Sequence, residues 1–192
     1  MKLINDLPVI QGASDCMDSA FWCGMLITFD YPGIDKSIVA KYFDKHNNLV
    51  RHPVECNDPC DFSRDQMVPL ISAMDQGLAL MYYNKMKDRH FIAPNGDVLS
   101  PSVVNHLKIC AGIKPSFLGK LNLIADVLWS AFVYKQHEVN QLLCLCKVAG
   151  PGYMKLLKLL KRDLASNIID YYSGWRREPE LASHLIKVLE LK

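Results

Sequence analysis

Proline and glycine interrupt this chain at short intervals, and between the interruptions apolar residues recur three and four apart. The breaks are Asp30-Tyr31-Pro32-Gly33, Gly77, Pro94-Asn95-Gly96-Asp97, Gly112 with Pro115, Gly150-Pro151-Gly152, and Gly174 with Pro179. Proline cannot continue a helix, and glycine accepts the left-handed backbone that ends one. The intervening segments therefore read as helices of modest length joined by short turns, which favours antiparallel neighbours. The expected fold is all-α, a compact multi-helix bundle or partial α/α array with at most a small β-hairpin, in a single domain over residues 1–192.

The first helix is expected from Ser14 or Asp15 to Ile27, and a shorter one from Asp35, with Ile38, Val39, Tyr42 and Phe43 on one face. Residues 46–61 lack a helical period. Ser63-Arg64-Asp65-Gln66 reads as a capping box opening a helix that runs past Pro69 to about Asp75. The segment from Leu78 to Met86 carries little signal. A hairpin is expected between His90–Ile92 and Val98–Leu99. Ser100-Pro101 opens the next helix. Pro115-Ser116 opens the most apolar one, with Phe117, Leu121, Ile124, Val127, Leu128, Ala131 and Phe132, and it reads as the central helix. Three more follow: Glu138 to Val148, a long one from Tyr153 to Tyr172 with Lys155, Lys158, Lys161 and Arg162 outward, and a last one from Glu178-Pro179.

Half of the residues are hydrophobic, and the net charge is only +2. Disorder is thereby excluded, and there is no basic footprint for general nucleic-acid binding. No apolar run approaches a membrane span, and Met1 to Pro8 has no signal-peptide core. The seven cysteines are odd in number and read as free thiols in a reducing compartment. Nothing in the sequence calls for a cofactor.

The densest set of polar side chains lies in the N-terminal third: Asp15, Asp18, Arg51, His52, Asp61, Arg64 and Asp65. Placed at one end of a bundle, they can bind a polar ligand, or supply acid–base chemistry to a sugar or ester. They serve equally as first-turn carboxylates that offset helix dipoles, with arginines pairing them. His46, His52, Cys56 and Cys60 form an H-x5-H-x3-C-x3-C series that zinc can accept, although the spacing is not that of a zinc knuckle. Cys16 at a helix start, after Gln11-Gly12 and before Phe21-Trp22, resembles the opening of a papain-like protease. Met17 stands where that family has Trp, so a packed thiol is the preferred reading. Trp175, Arg176 and Arg177 form a short aromatic-basic patch suited to protein contact. His106 reads as a core or surface histidine rather than a ligand.

Asp15-Cys16-Met17-Asp18-Ser19-Ala20, Arg51-His52-Pro53 and Asp61-Phe62-Ser63-Arg64-Asp65-Gln66 occur in that order. Together they resemble a family of uncharacterised proteins encoded by tailed bacteriophages and prophages. Asp126-Val127-Leu128-Trp129-Ser130 and Gly174-Trp175-Arg176-Arg177-Glu178-Pro179 fit the same resemblance. It implies a source, and a place in the host cytoplasm or the virion, rather than a reaction. The paired segments also resemble, in a general way, α/α-toroid glycan enzymes. Three functions are consistent with the sequence. The first in rank is a phage accessory or virion-associated protein that binds a phage structural or host protein without catalysis. The others are a protein that binds or hydrolyses a polar ligand such as a bacterial surface glycan, and an inhibitor of a host defence protein.

Overall fold

A computed structural model describes residues 2–4, 7–9, 18–133 and 139–191, without the side chains of 2–4, 9, 64, 65, 126, 130–133 and 175. Two short strands, β1 (Lys2–Ile4) and β2 (Leu7–Val9), pair antiparallel with Leu3 opposite Pro8. The helices α1 (Ser19–Thr28), α2 (Arg64–Ala73), α3 (Gln76–Asp88), α4 (Pro101–Cys110) and α5 (Phe117–Val133) follow. After them come α6 (Val139–Ala149), α7 (Pro151–Leu160), α8 (Leu164–Ile169), a π-helical turn at Asp170–Trp175, and α9 (Pro179–Val188). The fold is all-α, and among the described residues the small hairpin is β1–β2, at the N-terminal end. At the hairpin site read from the sequence, a single bridge joins Ile92 to Val98.

All ten residues of α1 are buried, which makes α1 the central helix. Its main neighbour is α2, which also packs on α4 and α6. Gly24 makes the contact with α2 possible: a Cβ there would lie 2.2 Å from the carbonyl carbon of Pro69. One contiguous core joins side chains from Leu7 to Leu189. No helix among the described residues is long and apolar enough to cross a membrane.

The expectation that α5 is central is corrected. Gly119, Leu123 and Val127 form its buried seam, four residues apart. Phe117 (76%), Leu118 (71%) and Trp129 (65%) are exposed, with Leu121 and Leu128 beside them. A wholly buried helix and a helix with an unpartnered apolar face have the same composition, so the sequence does not separate them.

Other expectations are also revised. The long helix from Tyr153 breaks after Leu160, where Lys161 leaves helical backbone and is buried rather than outward. Beyond the break, Leu164 and Ile168 are buried in the same core as Leu157. The segment around Leu78–Met86 is a full helix, because the Asp75 carboxylate accepts from the Leu78 amide at 2.8 Å and caps it. The segment after Asp35 is 3-10 in form, Lys36–Tyr42. Ser63 precedes α2 as expected, but its side chain makes no cap hydrogen bond, and its carbonyl accepts from the Gln66 and Met67 amides. Cap chemistry read from sequence is otherwise followed. Ser100 Oγ accepts from the Val103 amide, and Gly112 and Gly150 adopt φ +74° and +112°. Ser14 to Met17 lie outside the described residues, and the described helix begins at Ser19.

Candidate functional site

The start of α1 and the 51–61 loop are joined by a backbone hydrogen bond rather than through the polar side chains read from the sequence. The Ala20 amide donates to the Arg51 carbonyl at 3.0 Å, which ties the first turn of α1 to the loop. Arg51 Nε donates in turn to the Asp61 carbonyl. The Asp61 side chain is exposed. Asp15 lies outside the described residues, as do the side chains of Arg64 and Asp65.

Asp18 is paired with Arg176, Oδ2 to Nη1 at 2.9 Å, across 158 positions of sequence. Arg176 Nε donates to the Tyr171 hydroxyl at 3.1 Å. Its guanidinium also lies 5.9 Å from the Trp22 ring centre and 5.4 Å from that of Tyr171. This fork fastens the π turn to the start of α1; burial acts to lower the Arg176 pKa, and the Tyr171 oxygen and the Asp18 carboxylate outweigh it and leave the pKa raised. Arg176, read from sequence as part of a contact patch, is thus a tether between the two ends of the chain. Arg177 is exposed, at φ 58°, in the turn that leads to α9. The Trp175 side chain lies outside the described residues.

His52 is wholly buried. Its backbone pairs with that of Cys56 in both directions at 3.1 Å. Its Nδ1 accepts from the amides of Val54 (3.3 Å) and Glu55 (3.1 Å), which puts the ring hydrogen on Nε2. Nε2 has no partner. A buried ring used in this way holds the turn after Pro53 and offers no base to an outside ligand. The same arrangement takes His52 out of the zinc series. The Cys60 thiol faces the Pro94 carbonyl at 3.7 Å, and His46 is exposed. Among the described residues no three His, Cys, Asp or Glu side chains converge as metal ligands.

The structure adds a pair that sequence reading did not join. His106 is fully buried, with Nε2 2.8 Å from the Ser72 hydroxyl, which itself donates to the Val68 carbonyl at 2.8 Å. Burial drives the His106 pKa down to about 4. Because Ser72 spends its proton on Val68, His106 must present N–H to it and cannot withdraw that proton. The pair is a buried hydrogen-bond link between α2 and α4, not an activated nucleophile. Its members are 34 residues apart, and neither lies in a motif that could have flagged it.

The remaining feature is the outer face of α5. Phe117 and Leu118, then Leu121, Leu128 and Trp129, recur at helical spacing and stay in contact with solvent. The helix spans 17 residues, roughly 26 Å. Asn105 Nδ2 donates to the Gly119 carbonyl at 3.4 Å on the opposite side, so the rotation of α5 about its axis is set by its inner seam. Scattered single apolar residues are ordinary on protein surfaces, whereas a row of five large ones on one helix marks a contact face. Compared with protein-family models, curated proteins and solved structures, the chain matches none.

Proposed function

We propose that this protein acts by binding another protein, without catalysis, and that the outer face of α5 is its docking element. The observation that carries this reading is the exposed row Phe117, Leu118, Leu121, Leu128 and Trp129. Such a row, at i, i+1, i+4, i+11 and i+12, lies along one side of the helix and fits the helix-in-groove mode, in which a partner's apolar groove takes one face of a helix. The polar cluster supports the same reading from the other side. Asp18 is taken by Arg176, Arg51 Nε by the Asp61 carbonyl, and His52 Nδ1 by two amides. The occupant is a protein whose groove is apolar. The resemblance of the N-terminal segments to phage and prophage proteins directs the search to virion components and to host cytoplasmic proteins, a defence protein among them.

The test is capture from purified virion proteins and host lysate by wild type, a Leu118→Ser/Trp129→Ser double variant, and Asp61→Asn. Circular dichroism confirms that all three fold. A central aromatic anchor contributes about 2 kcal/mol or more to an interface. The double variant is therefore expected to lose its captured partner at least roughly thirtyfold in affinity, with Asp61→Asn unchanged. Retention by the double variant and loss in Asp61→Asn would return the function to the polar cluster.

A further inference from the structure

The outer face of α5 carries an internal symmetry. Its exposed large residues are Phe117, Leu118, Leu121, Leu128 and Trp129, and Ala125 is exposed among them. Their positions mirror one another about Leu123. Phe117 and Trp129 stand six residues to either side, Leu118 and Leu128 five, Leu121 and Ala125 two. Leu118, Leu121, Ala125 and Leu128 are also three, four and three apart, the spacing of a seam between two packed helices. None of the four is charged, and exposed Lys120 lies about a third of a turn from the seam.

A row of positions that reads the same from both ends is self-complementary in an antiparallel pair. A two-fold axis at the level of Leu123 sets Leu121 beside Ala125 of a second copy, Leu118 beside Leu128, and Phe117 beside Trp129, each of them twice. Every layer then takes one residue from either flank of the stripe, and the small Ala125 leaves room for Leu121. A parallel pair sets Ala125 against Ala125 and leaves a gap in that layer. The antiparallel pair also opposes the two helix dipoles. Gly119, Leu123 and Val127 are buried on the other side of α5, so the helix is already formed and oriented, and pairing orders no new backbone. Covering the five large side chains removes roughly 500 Å² from water per copy, about 1,000 Å² for the pair. That area is at the lower limit for a specific interface, and the pair is accordingly reversible.

We propose that α5 pairs with α5 of a second copy of this chain, antiparallel about Leu123, when no other protein covers it. The proposal rests on the reading of α5 as the docking element and adds a second occupant of that face.

The experiment is sedimentation velocity of the purified full chain alone, from about 1 to 300 µM. Ala125→Glu and Ala125→Lys each place a charge on the exposed stripe, where the two copies of residue 125 fall about 6 Å apart along the axis. Circular dichroism confirms that both fold. Wild type is expected to pass from monomer to dimer in the micromolar range. Each charged variant alone should associate at least about tenfold more weakly, and an equimolar mixture of the two should dimerise again, because opposite charges then meet. Orientation is read by mild oxidation. Leu118→Cys mixed with Leu128→Cys should give a disulfide between the two substituted positions, seen as joined peptides by mass spectrometry. Neither variant should link to itself at its substituted position, since like positions stand about 15 Å apart along the axis. A wild type that stays monomeric throughout overturns the proposal, and capture of a virion or host protein by that monomer would leave the docking reading standing. A dimer that captures nothing has the reverse meaning. Undiminished dimerisation by either charged variant alone, failure of their mixture to dimerise, or self-linkage of Leu118→Cys also overturns the pairing. So does a monomer that floats with phosphatidylcholine–phosphatidylglycerol vesicles, which would assign the face to a membrane.

Discussion

Replacing Gly24 with alanine is the sharpest test of how the core is assembled. The new Cβ would lie 2.2 Å from the Pro69 carbonyl carbon, 2.4 Å from the Leu70 nitrogen and 2.5 Å from the Pro69 oxygen. All three are backbone atoms, so no side chain can rotate out of the way. Carbon atoms pack at about 3.5 Å, and α1 and α2 must part locally by roughly 1 Å. Overpacking of this kind costs about 1–3 kcal/mol, and a backbone clash belongs at the upper end or above. Alanine recovers about 1 kcal/mol of helix propensity in exchange. The net expectation is a loss of about 2 kcal/mol or more, a large share of the ~5–15 kcal/mol typical of a domain. Gly152, in α7, is the matched control, since nothing lies within 4 Å of its Cβ position. The same change there is expected to be neutral or to stabilise by up to ~1 kcal/mol. Urea unfolding followed by the fluorescence of the buried Trp22 reads both. With a slope of about 2 kcal/mol per molar, the Gly24→Ala midpoint should fall by roughly 1 M. If Gly24→Ala unfolds at or above the wild-type midpoint, the close α1–α2 contact is wrong, and with it the reason for α1 being central.

Two further outcomes follow from buried titratable groups. His106 has a folded-state pKa near 4, below its ordinary value of 6.5, so the unfolded chain takes up a proton that the folded one refuses. Stability is therefore complete above about pH 6.5 and falls as the pH drops towards 4, by up to ~3 kcal/mol. Urea midpoints across that window should lose this part of their slope in His106→Gln, and an unaltered slope would assign it to other groups. Among the thiols, burial pushes Cys23 and Cys146 up to about 12 and Cys144 higher still. Exposed Cys60 should accept iodoacetamide well before these three in native protein, as mass spectrometry of the labelled peptides will show; equal labelling would mean that the core around α1 and α6 opens readily.

What was legible in the sequence is what a single turn of chain decides. Ser100-Pro101 opens α4, Gly112 ends it, and Gly150-Pro151 divides α6 from α7, because each cap is satisfied by groups within a few residues. The exceptions are also local in cause. Asp75 caps α3 strongly enough to override Gly77 beside it, and the Ser63 carbonyl takes the amide that its hydroxyl was expected to meet. The candidate site was legible only as a set of residue types. That Asp18 meets Arg176, that His52 is buried under its own turn, and that Ser72 meets His106 depend on elements far apart in the chain.

The apolar residues of α1 and α5 illustrate the division. Both helices are rich in them, and in both the spacing is helical. Composition records how much apolar surface a helix carries, and only packing decides how much of it finds a neighbour. Gly24 lets α2 approach one side of α1 to backbone contact, and β2, the 3-10 segment and α6 pack on it as well. On α5, the seam Gly119, Leu123 and Val127 meets the bundle, and the opposite face, with Trp129, remains in water. Where a cap is local, as at Ser100-Pro101, Gly112 and Gly150-Pro151, the helix end is legible in the sequence, because it is made by hydrogen bonds within a turn; the break after Leu160 is not. The tertiary structure decided which of the helices is the core and which presents a surface, because burial belongs to pairs of elements and not to either one.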